Sequence, residues 1–109
     1  MNVPENTNTW VGLSNEPLPV EKASHWVIEP SCGATVTFNG VARDHSSGRE
    51  NVTVLEYEAY EEQAIPRLEA IAKKTRDKWP DIKKIVMLHR IGKVEIGDSA
   101  VVIAVSSAH

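Results

Sequence analysis

An α+β fold is what this sequence predicts, a mixed or antiparallel sheet carrying one long amphipathic helix and a shorter N-terminal helix. Three observations carry that prediction. β-Branched, aromatic and aliphatic residues gather in four strand-like runs, at 34–41, 52–60, 82–89 and 100–106. Between the second and third runs, Ala64, Leu68, Ile71, Ala72, Thr75 and Trp79 recur at intervals of three and four, the period of a helix with one apolar face. A shorter helical pattern between Pro19 and Ile28 puts Val20, Ala23 and Val27 on one side.

In chain order, residues 1–16 hold Trp10, Val11 and Leu13 as their only sizeable apolar group and read as an N-terminal arm, either loose or a short edge strand. Residues 17–109 form a single domain. Pro19 suits a first helical turn, and Pro30 ends that helix. Thr35, Val36, Thr37 and Phe38 open the first strand, expected to be central and buried, and Gly40 interrupts it, as at a bulge or a close backbone approach. In 52–60, Leu55, Tyr57 and Ala59 alternate with Glu56, Glu58 and Tyr60. The helix from Glu61 to Trp79 has acids first and Lys73, Lys74, Arg76 and Lys78 last, in accord with its dipole. Pro66 is tolerated there if the helix begins a residue or two late. Ile85, Val86, Met87 and Leu88 form the core of the third strand, His89 to Lys93 a connection, Val94 to Ile96 a short extended piece, and Gly97-Asp98 a turn. The last strand, Ala100 to Ser106, is nearly all apolar, which argues for burial on both faces.

Composition narrows the function classes. A net charge of −3 with no dominant basic stripe argues against nucleic acid as a partner. No apolar run approaches the roughly 18 residues that cross a bilayer, and no signal-peptide core is present, so a cytoplasmic protein with no membrane partner is expected. The lone Cys32 beside a strand reads as a small buried hydrophobe rather than a nucleophile. His25, His45, His89 and His109 lack short metal-ligand spacing, so no metal is expected. Ser106 and Ser107 near His109 lack a nucleophile elbow. Glu56 and Glu58 could pair for acid–base chemistry, but the wet face of a half-covered strand explains them as well.

What remains is cationic. Arg43 and Arg49, His89 and Arg90, and His109 stand at strand ends and suit an anionic substrate or a partner's terminal carboxylate. The stretch from Gly33 to Arg49 reads equally as an anion-binding edge or a solvated hairpin loop, and the polar residues of 44–51 predict mobility without ligand.

Several segments together resemble the large, catalytic subunit of molybdopterin synthase. They are Gly33-Ala34 through Phe38-x-Gly40-x-x-Arg43-Asp44-His45, Leu55-Glu56-Tyr57-Glu58-Ala59-Tyr60, Trp79-Pro80, His89-Arg90-Ile91-Gly92, Gly97-Asp98 and Val105-Ser106-Ser107-Ala108-His109. The resemblance implies an α/β-hammerhead-like fold, a central homodimer and a small ubiquitin-like sulfur-carrier subunit docked on each large subunit. It implies sulfur transfer from the carrier's C-terminal thiocarboxylate to cyclic pyranopterin monophosphate, giving molybdopterin, with no tightly bound cofactor. Carried over by position, Val41, Ala42 and Arg43 match the substrate-contacting turn, Phe38 packs beneath it, and His109 matches a substrate-binding histidine in a pocket shared across the dimer. The family's pattern continues past this histidine with an arginine, a helix and two catalytic lysines, so relative to it the 109 residues are C-terminally incomplete and no catalytic residue is assigned. The alternatives are a non-catalytic dimerisation and carrier-binding module of the same fold, or a pterin- or nucleotide-phosphate binder.

Overall fold

The computed structural model describes residues 1–44, 54–57 and 61–109, with 54–57 and Glu61 described by their backbone alone. His45, Arg49, Glu58 and the greater part of the 44–51 loop lie outside the described residues.

Among the described residues, six strands and two helices follow one another as β1 (Thr9–Ser14), α1 (Val20–Trp26), β2 (Ala34–Val41), β3 (Val54–Tyr57), α2 (Glu61–Lys78), β4 (Ile82–Arg90), β5 (Gly92–Glu95) and β6 (Ser99–Ser107). The main sheet runs β1-β4-β6-β2, with β1 parallel to β4 and the other pairs antiparallel. β3 and β5 form a separate antiparallel ribbon. The α+β expectation of a mixed sheet with one long and one short helix holds. Residues 9–14 of the N-terminal segment are an edge strand rather than a loose arm.

Each helix covers a different face. Along β4, Val86 and Leu88 point to one side, where they meet Trp10, Leu18, Ala23, Val27, Val102 and Ala104. Ile85 and Met87 point to the other, against Ala72 with Leu68 and Val11 alongside. α1 therefore closes the first face and α2 the second. A register irregularity between Ile82 and Ile85 is what lets both residues share the α2 face. The backbone N–H of Lys84 within it donates to Ser106 Oγ at 3.2 Å, which satisfies the otherwise buried hydroxyl.

Four expectations need correction. β2 is an outer strand, not a central buried one, and Val36, Phe38 and Val41 are 69%, 58% and 47% exposed. α1 touches β2 on the Thr37 face only, and the face carrying Val36 and Phe38 has no helix over it. β6 is buried on one face only: Ala100, Val102, Ala104 and Ser106 are covered, while Val101, Ile103 and Val105 are half-buried. The reason is that α2 packs on β1 and β4, and the β2 residues paired with Val105 and Ile103 are the exposed Val36 and Phe38. α2 starts at Glu61 and holds Pro66 inside, and its inward line is Leu68 and Ala72, with Ile71 and Trp79 exposed. Lys78 Nζ stands 4.8 Å from the Trp79 ring. Finally, the third strand, expected to end at His89, runs on through Arg90, and β5 begins at Gly92, whose φ of +75° suits glycine at that bend.

Candidate functional site

The turn after β2 is built by a break in the ladder. Asn39 and Gly40 pair with Val102 and Val101, but Val41 pairs with Ser99, a shift of register at Gly40. The Phe38 ring lies against Gly40, where an added Cβ would come within 3.2 Å of it. Phe38 thus packs beside the turn, not beneath it. Leaving the ladder, Ala42 is held on both sides: its N–H donates to the Asp98 carbonyl at 3.0 Å, and its carbonyl accepts from Gly97 N–H at 2.9 Å. Ala42 is buried, and Gly97 takes a φ of +95°, the left-handed conformation this turn requires. With Ala42 fixed, Arg43 is carried out into solvent at the sheet end.

Strand direction decides which cations meet. β4 ends where β6 begins, so His89 and Arg90 come to the same end of the sheet as Arg43. His89 Nδ1 donates to the Arg90 carbonyl at 2.6 Å. Arg90 is only 8% exposed. His109 stands at the opposite end, beyond Ser107, which pairs with Ala34, and Gly33 N–H donates to the Ala108 carbonyl at 3.2 Å. The length of β6 separates the two ends by on the order of 25 Å. One chain therefore brings Val41, Ala42, Arg43, His89 and Arg90 together and leaves His109 apart.

Two charged residues were not legible as structural anchors from their surroundings in sequence. Lys84 Nζ reaches Glu29 Oε1 at 3.2 Å, the Trp26 carbonyl at 3.1 Å and the Trp26 ring at 4.5 Å. It ties the end of α1 to β4. Arg76 donates to Thr9 Oγ1 and to the carbonyls of Asn8 and Lys83, pinning α2 to β1 and to the start of β4. Burial lowers its guanidinium pKa from the ordinary value. The signal for Lys84 was its parity with Val86 and Leu88, which puts it on an inward row. Among the described residues no cluster of three or more metal-ligating side chains occurs, and no helix is long and apolar enough to cross a membrane.

The model of the MoaE protein family matches residues 13–109. The chain belongs to the MoaE protein family. A molybdopterin synthase catalytic subunit from Taeniopygia guttata is 41% identical over 100 residues, which cover 92% of this chain and 64% of that one. Among solved structures, molybdopterin synthase from Staphylococcus aureus is 37% identical with a TM-score of 0.80, over 89% of this chain and 69% of that one. The complex of subunits 1 and 2 of molybdopterin-converting factor from Helicobacter pylori matches at 19% identity and a TM-score of 0.73, over 91% of this chain and 66% of that one, a likeness of fold. The chain spans 26% of the length of another MoaE relative, the catalytic subunit from Drosophila willistoni, so it corresponds to part of its curated relatives.

Proposed function

We propose that this chain acts as the catalytic subunit of a molybdopterin synthase, moving sulfur from the terminal thiocarboxylate of a small carrier subunit to cyclic pyranopterin monophosphate. Membership of the MoaE family supports the reaction, and the complex from Helicobacter pylori supports a small-subunit partner. The roles assigned are binding roles. The Arg43 guanidinium, held out by the anchored Ala42, pairs with the substrate phosphate through its fork of donors. Val41 and Ala42 shape the turn, and His109 contacts substrate.

The observation that carries the reading furthest is the separation of Arg43 from His109. A site using both takes one from each of two copies. Two chains related by a two-fold axis, with their β2 strands side by side and antiparallel, set the Val41 end of each against the Ala34 end of the other. There Gly33 holds Ala108, and His109 follows. The exposed row of Val36, Phe38 and Val41 is the apolar surface for that contact.

Calorimetry with the precursor tests this. Arg43→Ala weakens binding by about 1.5–3 kcal/mol and leaves carrier docking unchanged. His109→Ala also loses affinity. When the two variants are mixed and allowed to exchange subunits, half the dimers are mixed and each has one intact site, so about a quarter of the wild-type binding capacity returns. No recovery on mixing places Arg43 and His109 in separate sites.

A further inference from the structure

Beyond Gly40 the outermost strand β2 leaves its ladder with β6, and the next residues need another hold. Among the described residues, both backbone bonds of Ala42 go to one place, the connection between β5 and β6. Its N–H donates to the Asp98 carbonyl at 3.0 Å, and its carbonyl accepts from the Gly97 N–H at 2.9 Å. Arg43 follows with its side chain exposed, so its reach is set by the backbone it leaves from.

The connection has a definite form. Asp98 N–H closes back on the Glu95 carbonyl at 3.0 Å, making Glu95 to Asp98 a four-residue turn. Gly97 is its third residue, at a φ of +95°, while Ile96 before it has a negative φ. That combination is a type II turn, whose third position needs a positive φ. The commoner type I turn differs in the peptide between the second and third residues, which is turned over. Here that peptide carries the Gly97 N–H that Ala42 accepts. A Cβ at position 97 would meet no atom within 4 Å, so its cost is conformational alone. Replacing the glycine therefore favours type I and points the N–H away from Ala42.

We infer that Gly97 is a positioning residue for Arg43: by holding a type II turn it keeps Ala42 in place, and so sets where the guanidinium meets the substrate phosphate. Its role depends on Arg43 being the group that binds phosphate, as proposed above. Gly92 supplies a matched comparison. It too has a positive φ, of +75°, and open space where a Cβ would stand, but it bends β4 into β5 and makes no bond to Ala42.

The test is calorimetry of the full chain with cyclic pyranopterin monophosphate, alongside thermal unfolding, for wild type, Gly97→Ala, Gly97→Asn, Gly92→Ala, Arg43→Ala and the Arg43→Ala/Gly97→Ala double variant. Gly97→Ala and Gly92→Ala each melt about 5–10 °C below wild type, since each forces a side chain into the left-handed region. Of these two only Gly97→Ala loses affinity, by about fivefold, short of the loss of about tenfold to a hundredfold in Arg43→Ala. Gly97→Asn, whose side chain tolerates a positive φ, loses only about twofold and carries the comparison if the alanine variant does not fold. In the double variant Gly97→Ala adds nothing to Arg43→Ala, because it acts through that side chain. The positioning role is overturned by an equal loss in Gly92→Ala, by a full further loss in the double variant, or by no loss in Gly97→Ala where Arg43→Ala has one. Unchanged affinity in Arg43→Ala overturns the phosphate reading and the positioning role with it, so the two failures are told apart by which variant is silent.

Discussion

The two outer strands of the sheet, β1 and β2, are opposites in how they are finished. β1 is covered: Trp10 is buried and meets Trp26 edge-on with ring centroids 5.7 Å apart, Val11 lies under α2, and Arg76 stitches the strand's start to that helix. β2 has Ser24 of α1 bonded to Thr37 on one face, and on the other leaves Val36 and Phe38 to solvent. An edge strand with unpaired backbone groups and apolar side chains invites association, and folds that avoid it cover or charge the edge. β1 is finished for stability, while β2 keeps bare the surface used in the pairing of two chains proposed above.

Substitutions on the two strands should therefore separate. The largest loss is expected from Trp10→Ala, about 3–5 kcal/mol of unfolding free energy in urea, through lost burial, the cavity left and the lost ring pair. A loss under about 1 kcal/mol would mean β1 is not integral to the core. Arg76→Ala should cost about 1–2 kcal/mol, since three neutral acceptors lose their donor at a half-exposed position that water can reach. The same assay reads it, and greater hydrogen exchange in β1 than in β4 would locate the loss at the strand. Phe38→Asp should change stability by no more than about 0.5 kcal/mol, yet sedimentation velocity should show weaker self-association, because an exposed side chain supports contact between chains rather than folding. A large drop in stability with unchanged association would reverse the roles assigned to the two edges.

Local elements were legible where periodicity was strong. The extent of β2 follows from its run of β-branched and aromatic residues, the α2 helix from its period-3.6 pattern, and the irregularity at Gly40 from a glycine breaking a strand. Position within the sheet was not legible. β-Branched residues at 35–37 signal a strand whether or not anything covers it, so the sequence of β2 could not say that it lies outermost. The parallel pairing of β1 with β4 joins segments with no local cue to one another. In the candidate site, Arg43 was legible as a cation at a strand end, and Val41 and Ala42 were found by resemblance to a family. The anchoring of Ala42 by the Gly97-Asp98 turn, and the distance of His109 from Arg43, needed the topology. Arg90 was seen as a cation at a strand end. Its burial followed from parity with Leu88, a cue masked by reading His89 to Lys93 as connection.

The pairing of β1 with β4 also bears on how the protein is made. Thr9 pairs with Ile85, and Ala34 with Ser107, so both outer strands emerge from the ribosome long before the inner strands that receive them. Contacts so distant along the chain form late and slow folding, since the intervening segment must be ordered first. During synthesis Trp10, Val36 and Phe38 travel without the sheet they belong to. The nascent chain is thus most in need of a chaperone, and most prone to misassociate, in the interval before β4 and β6 are complete.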